Sequence, residues 1–281
     1  MREYLYADEQ ADAFSKLLLE IGDGKYPEQN NKIAIPSEHC TLLTDFNLFL
    51  DTMYPDLDKP HIIVPSWLKS RAILTPKNDS ALEINNQLLS RMSTDVKIYN
   101  SIDTIIEEEE AVNYPTEFLN TLNPPGLPPH ELRLKVGAPI ILLRNLKPPK
   151  LCNGTRLQVK TLLRNIIEAT IFTGIGQGET VFIPRIPLIP SDYHFNFKRT
   201  QFPVKLCFSM TINKAQGQTL DLVGVDLRTE CFSHGQLYVA FSRVALLHLC
   251  FIFFKGPHCF SPRWKNQELG VQRSFILVFI S

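Results

Sequence analysis

Apolar positions recur along this chain with two different periods, and the switches between them divide it. The start is helical in period. Phe14, Leu17, Leu18 and Ile21 fall on one face, Glu9 and Asp12 suit the positive end of a helix, Asp8 can cap it and Gly22 stops it. The same spacing over Thr41–Met53 puts Leu42, Phe46, Phe49, Leu50 and Met53 on one side, with Pro55 closing, and predicts a second helix. Arg71-Ala-Ile-Leu-Thr75 is a short apolar run and predicts a strand. Pro76-Lys77-Asn78 makes the turn, and Asn78 can cap a helix carrying Ala81, Ile84, Leu88 and Leu89. Strand, turn and helix in succession are the unit of an α/β sheet.

Asn123-Pro-Pro-Gly-Leu-Pro-Pro129 is a stiff connector and the best candidate for a boundary. Beyond it, Ala138–Leu143, Thr155–Val159, Ile166–Thr173 and Thr180–Pro184 are short β-type runs separated by turn residues, as in a small barrel or sandwich. Pro184, Pro187 and Pro190 lead back to Val204–Met210, read as another strand, and Val223–Asp226 as the next. Phe232–Val244 predicts a helix with Leu237, Ala240, Phe241 and Val244 on one face, and Ala245–Phe254 can supply a strand. The reading is a small β module (123–202, connector included) inserted into an α/β domain (1–122 and 203–255), followed by an unplaced tail (256–281) expected to pack poorly.

Composition adds one thing to this picture. Of 281 residues 44% are hydrophobic, ample for a core, and the formal net charge is zero. That zero hides an asymmetry: residues 1–128 carry 10 Lys and Arg against 21 Asp and Glu, whereas 129–205 carry 12 against 4. A basic middle suggests contact with a polyanion, and equally fits a β module with Lys and Arg on its solvated face. Glu107–Glu110 reads as a solvated segment. Cys40, Cys152, Cys207, Cys231, Cys250 and Cys259 contain no C-x-x-C pair and no His at zinc-ligand spacing. They read as reduced, mostly buried thiols of an intracellular protein, and no metal site is expected. No stretch is long and apolar enough to span a membrane, so no membrane partner is expected.

Candidate chemistry concentrates in Phe208–Leu220. A strand ending near Met210 is followed by Thr211, Asn213, Lys214, Gln216, Gly217, Gln218 and Thr219, a polar set opening a helix at one edge of a sheet. Hydroxyl, amide and ammonium groups with free backbone N–H donors suit phosphate oxygens, and Gly217 lets a backbone approach a ligand closely. The pattern fits ATP and a DNA backbone equally. Arg243, at the end of the next helix, can reach a γ-phosphate across an interface, or serve as an ordinary ion-pair residue.

MTINKAQGQTL resembles motif V of superfamily-one helicases, and GQLYVAFSRV resembles motif VI in the wording of the Pif-family enzymes. AILTPKN, AVNYPTEFLNTLNPPGLPPHELRLKVGAPIILLRNL, LCNGTRLQV and VFIPRIPLIPSD are similar to the helicase domain of Helitron transposons and their host relatives, and the match runs to about Val244. The resemblance implies a second RecA-like motor domain with an inserted small barrel, of the Src-homology type, and an enzyme that unwinds DNA by hydrolysing Mg-ATP. It implies that Arg243 is the arginine finger, and that Gln216, Gly217 and Gln218 form the nucleotide-sensing turn. Arg2 would be the remnant of a second γ-phosphate arginine. Thr211, Asn213 and Lys214 would lie near the DNA backbone, and Thr75, Pro76 and Asn78 on the single-strand track. In the barrel, Asn153, Thr155 and Arg156 fall in a family-like stretch, and Arg144, Lys147 and Lys150 are the candidate electrostatic contacts. Single-stranded DNA or DNA junctions, 5′-to-3′ translocation, a nuclear location and roles in recombination, repair, telomere maintenance or transposition also follow from the resemblance alone.

One part of that machine is missing from the sequence. There is no G-x-x-x-x-G-K-[ST], since the only Gly-Lys, Gly24-Lys25, is followed by Tyr26 and lacks the upstream glycine. Asp8-Glu9 follows apolar residues as a Walker B pair would, but reads as a helix cap. The expectation is a C-terminal helicase portion, inactive alone, that meets its ATP on a P-loop domain outside this chain. A non-motor single-stranded DNA-binding module and a degenerate transposon-derived product are the alternatives.

Overall fold

The structure is a computed structural model that describes residues 9–27, 32–36, 40–107, 113–190, 193, 195–229, 231, 234–244, 250–253 and 275–279. It divides into two compact units. The first comprises 1–56, 70–86 and 208–281, the second 57–69 and 87–207.

The first unit is built on a parallel sheet. Its strands are β2 (Thr41–Leu43), β3 (Arg71–Thr75), β14 (Ser209–Thr211), β15 (Leu222–Asp226) and β16 (Cys250–Phe253), in the order β14-β3-β15-β16-β2. Every pairing is parallel. A parallel strand covered on both faces reads as a continuous apolar run, and Ala72, Ile73 and Leu74 of β3 are fully buried. Helix α2 (Phe46–Met53) lies on the sheet through Phe49, Leu50 and Met53, all fully buried. Gly224 of β15 is the seat for that contact, because a Cβ there would stand 2.8 Å from Phe49 Cζ and 2.9 Å from Met53 Cγ. Helices α1 (Glu9–Gly22), α4 (Asn78–Arg91) and α6 (His234–Phe241) complete the set, and β1 (Lys32–Pro36) pairs antiparallel with β17 (Phe275–Phe279). That pairing gives five residues of the tail a partner strand, which nothing in the sequence pattern announced.

The second unit is mostly antiparallel. Strands β7 (Pro139–Leu142), β8 (Arg156–Leu162), β9 (Ile166–Ile171), β10 (Thr180–Pro184) and β13 (Val204–Leu206) form a sheet in the order β10-β9-β8-β7-β13. A three-stranded sheet joins β5 (Ile102–Ile105), β12 (Phe197–Gln201) and β11 (Ile186–Leu188), and β4 (Val96–Asn100) pairs with β6 (Glu131–Lys135). Pro187 is tolerated within β11 because that strand is an edge. The core gathers Leu132, Leu134, Ile140, Leu142, Leu157 and Ile167, among others. Helices α3 (Pro65–Lys69) and α5 (Thr116–Thr121) are short.

A fully buried ion pair organises the proline-rich segment, which lies within this unit. Arg199 Nη2 meets Asp103 Oδ2 at 2.7 Å, with both side chains at zero exposure. The same guanidinium donates to the carbonyls of Leu119, Leu122 and Pro128, and Ser101 Oγ donates to Asp103 Oδ1 at 2.7 Å. A buried charge pair is tolerable when its remaining donors and acceptors are filled this completely.

Three expectations change. Thr41–Met53 is not one helix: Thr41–Leu43 is a strand pairing with Phe251–Phe253, and Asp45 starts the helix by accepting Leu48 N at 2.6 Å. Val204–Met210 is not one strand: it is the end of one sheet and the start of another. The strands expected to form a small barrel lie in a five-stranded sheet of open order, and no barrel is closed among the described residues, since β10 and β13 are the two ends of the sheet.

Candidate nucleic-acid interface

Two segments far apart in sequence meet at the carboxyl edge of the parallel sheet. Thr211, the last residue of β14, is paired in register with Thr75, the last residue of β3. Open α/β sheets bind ligands outside the carboxyl ends of their strands. Thr75 is fully buried and its Oγ1 donates to Lys77 O at 2.8 Å, which fixes the turn. Asn78 is exposed on that turn, whereas Pro76 is buried, which corrects the expectation that its side chain lies on a single-strand track. After Thr211 the chain makes one 3-10 turn, Ile212–Ala215, whose Ile212 and Ala215 are buried, leaving Asn213 and Lys214 exposed. Although Lys214 is exposed as a whole, partial desolvation of its ammonium lowers its pKa. Thr75, Pro76, Asn78, Thr211, Asn213 and Lys214 therefore share one edge.

The edge is held by residues the sequence reading missed. Asn85 of α4 is buried, donates from Nδ2 to Ser209 O at 2.8 Å and accepts Ser209 N at Oδ1 at 3.0 Å. It completes the outward-facing backbone of an edge strand, as a further strand would. At the end of β15, buried Asp226 binds Arg228 through Nε and Nη2, and Arg228 Nη1 reaches Glu83 Oε1 of α4 at 3.0 Å. The guanidinium lies 4.0 Å from the Phe46 ring centre. Partial burial opposes the charge on Arg228, but the two carboxylates outweigh it and raise its pKa. The available signal for this pair was an Asp two residues before an Arg at a strand end, which is too common to single out.

From Ala215 the chain crosses back to the other edge. Gly217 adopts φ +81 with open space where a Cβ would sit. Leu220 bridges to Val244, and Asp221 N donates to Ser70 O at 2.7 Å at the amino end of β3. Arg243 lies against this crossover. Its Nε donates to Val239 O at 2.9 Å and its Nη2 to Ser242 Oγ at 2.7 Å, while Nη1 faces Ala215 O and Gln218 O at 3.4 Å each. Gln218 Nε2 donates to Lys214 O at 3.1 Å, and Gln218 Oε1 is buried without a partner. Gln216 and Gly217 are exposed. The two quoted motifs thus touch, through Arg243 and the carbonyls of Ala215 and Gln218. A guanidinium and an exposed turn stand side by side.

The other proposed contacts belong to the second unit. Arg156 corrects the expectation of a DNA contact: it is 1% exposed, caps α3 by donating to Leu68 O and Lys69 O at 3.1 and 3.2 Å, and lies over the Phe172 ring. Lys150 Nζ is paired with Glu179 Oε1 at 2.7 Å, so its charge is partly spent. Arg144 donates to the carbonyls of Gly126 and Leu143 and is half-buried, and Lys147 is exposed. Asn153 N donates to Asn145 Oδ1 and Cys152 N to Thr155 Oγ1, so the Asn153-Gly-Thr155 turn is held by local bonds. Arg2 lies outside the described residues, as does Asp8. Among the described residues no helix is long and apolar enough to cross a membrane.

Comparison with known proteins fits this geometry. The family profile described as the DNA helicase Pif1, 2B domain, matches residues 117–162. The ATP-dependent DNA helicase PIF6 of Trypanosoma brucei brucei is 36% identical over 120 residues, covering 40% of this chain and 15% of that protein. The ATP-dependent DNA helicase Pif1 of Campylobacter jejuni is 29% identical over 181 residues, covering 59% of this chain and 38% of that protein. The crystal structure of Pif1 helicase from Candida albicans superposes with a TM-score of 0.51 at 26% identity, over 74% of this chain and 53% of that one. The chain is a relative of the Pif1 DNA helicases. Its α/β fold is of the helicase type, matching also Bacteroides Pif1 in complex with ADP-AlF3 and ssDNA, at a TM-score of 0.55 and 21% identity over 88% of this chain and 49% of that one. The chain thus spans about half, or less, of the Pif1-type proteins it matches.

Proposed function

We propose that this chain is the DNA-tracking and ATP-sensing portion of a Pif1-type ATP-dependent DNA helicase. The first unit acts as a second RecA-like motor domain. Asn78, Thr211, Asn213 and Lys214 follow the backbone of single-stranded DNA, Thr75 and Pro76 shape the turn from buried positions, and Arg243 with the Gln216–Gln218 turn faces Mg-ATP. The observation that carries the reading is the register pair Thr75–Thr211, which unites two sequence motifs at the edge where α/β sheets bind ligands. Supporting it, the Candida albicans Pif1 structure shares the fold above 25% identity, and the Bacteroides relative was crystallised with ssDNA and a nucleotide analogue. The inserted β module, the Helitron affinity of the longer stretches, the recombination, repair, telomere and transposition roles and a nuclear location belong to the same proposal. No G-x-x-x-x-G-K-[ST] occurs in the sequence, so the cradle for the phosphates is assigned to another RecA-like domain.

The residues present fit one side of a nucleotide. Bound ATP would supply the scissile phosphoanhydride. Arg243 would have to leave Ser242 Oγ and Val239 O to place its charge beside the γ-phosphate, and the turn would move with it because Arg243 also faces Ala215 O and Gln218 O. This links the nucleotide end of the 212–220 crossover to its DNA end.

Fluorescence anisotropy with a labelled single strand tests the track. Affinity should fall with salt, and Lys214→Ala should reduce the slope of log K against log salt by about 0.7, one phosphate's share on a single strand. Binding without salt dependence, or an unchanged slope, overturns the assignment; no binding at all favours a degenerate product. The tethering of Arg243 by its own helix favours a second reading, a non-motor single-stranded DNA-binding module. ATP turnover by the purified chain that Arg243→Ala abolishes would overturn the assignment of the P-loop to another domain. Once a P-loop domain is supplied, a drop of about a thousandfold or more in the Arg243→Ala variant separates helicase from module.

A further inference from the structure

The second unit contains a cavity of about 270 Å³ that the motifs above do not use. Ile63, Met92, Val136 and Val159 give it apolar walls, and Ser93 and Gln158 bring polar atoms to it. Gln158 is only 9% exposed and its amide orientation is settled by its neighbours. Nε2 donates to Ile63 O at 2.7 Å and to Gly137 O at 3.1 Å. Both amide hydrogens are engaged, so the side chain is fixed and its Oε1 is an acceptor held in one direction. Gly137, at φ +91, keeps the adjoining wall open: a Cβ there would stand 3.4 Å from Met92 Cε. The site is thus a small slot with apolar walls, lined also by Ser93, Thr94 and Thr170, in which the Gln158 amide is held in one orientation.

Its size restricts the occupant. At about 30 Å³ per water such a space is worth roughly nine waters, room for one planar ring system and below the usual range for drug-sized ligands. The oriented acceptor asks for an N–H, and a thioether wall suits an aromatic face. We propose that this cavity binds a single nucleobase carrying an exocyclic amine, cytosine, adenine or guanine, from the strand that the helicase reading assigns to the chain. The surrounding charge favours a base over an aromatic side chain of a protein partner. Residues 129–205 hold 12 Lys and Arg against 4 Asp and Glu; Lys160, which also lines the cavity, is paired with Glu168 Oε1 at 2.8 Å but remains 54% exposed, so the favourable charge is that of the segment as a whole. Thymine fits less well, because its ring N–H lies between two carbonyls that would face Oε1.

The inference rests on the DNA reading, and free mononucleotides separate the two. With the full chain, dCMP should shift the NMR signals of the Gln158 side-chain amide, and dTMP should bind at least about fivefold more weakly. Ser93→Trp, from an exposed position, and Val136→Phe, from a side chain 42% exposed, should each fill the slot and abolish the dCMP shift while thermal unfolding stays unchanged. Unmoved Gln158 signals at millimolar dCMP overturn the proposal, as do equal affinities for dCMP and dTMP. Saturation by indole in preference to dCMP also overturns it and assigns the slot to a protein partner. If oligonucleotides bind with the expected salt slope but dCMP leaves Gln158 unmoved, the pocket alone is wrong. If dCMP binds and oligonucleotides show no salt-dependent binding, the DNA-track reading alone is wrong.

Discussion

Three basic residues that look alike in the sequence have different fates in the fold. Arg156 is a buried cap, Lys214 an exposed residue with a partly desolvated ammonium on a 3-10 turn, and Arg243 a guanidinium held by its own helix. Arg156→Met should therefore lower stability by about 2–4 kcal/mol in a denaturant titration, since the last carbonyls of α3 lose their donor and a stacked cation is removed. Lys214→Ala should alter stability by less than about 0.5 kcal/mol while reducing DNA affinity. The same titration should show Gly217→Ala destabilising by about 1–2 kcal/mol through left-handed backbone strain alone, as nothing crowds the new methyl. Sequence could name all three residue types, but burial is set by neighbours distant in the chain, and Leu68 and Lys69 are 88 and 87 positions from Arg156.

Among the elements, the long apolar runs were legible and the short ones were not. β3, α4 and β15 follow the predicted spans closely, because each has a single buried face or an all-apolar run bounded by turn residues, whereas α6 stops at Phe241, short of the Val244 expected, because Val244 bridges to Leu220. β2 escaped because three residues carry too little pattern to compete with the helical spacing that follows them, and only its pairing with β16 makes it a strand. The three-residue β14 is likewise a product of its surroundings, clamped by β3 on one side and Asn85 on the other. Asn85→Ala should cost about 1–3 kcal/mol by leaving the Ser209 N–H and C=O without partners. It should weaken single-strand binding as well, because Thr211 and Lys214 hang from that strand; unaltered affinity in the folded variant would show that β14 does not position the track. Gly224→Ala should cost about 1–3 kcal/mol in thermal unfolding, through overpacking against Phe49 and Met53.

At the scale of the molecule, buried thiols set the response to alkali. Burial pushes Cys40 and Cys231 up to about 12 from 9.0, and Cys250 well above 9.0 with Cys40 contributing, and all three lie in the first unit. Below pH 9 both folded and unfolded states keep these protons, so the thiols leave stability unchanged. Above it the unfolded chain releases them and the folded one does not. Stability should then fall by about 1.4 kcal/mol per pH unit for each thiol up to about pH 12. Lys214, whose pKa is lowered, works weakly in the opposite direction. Chemical denaturation at pH 8, 9 and 10 (about one unit apart) checks this, and Cys40→Ala should flatten the decline.

The sequence by itself determined the lineage, the α/β character of the first unit and the identity of the motifs, because these are local. A strand, its turn and the polar residues after it are contiguous, and their chemistry survives being read in one dimension. Tertiary structure decided everything that depends on which segments meet. It joined Thr75 to Thr211 and set Arg243 against the 215–218 turn, it buried Arg156, and it left the five-stranded sheet open. The reason is that sheet order and burial are properties of pairings between residues tens to hundreds of positions apart, and a period along the chain carries no record of its partner. For the two motifs that carry the resemblance this sharpens the meaning of Arg243: the finger proposed from sequence is, in this fold, one hydrogen-bonded side of a crossover whose other end is the proposed DNA track.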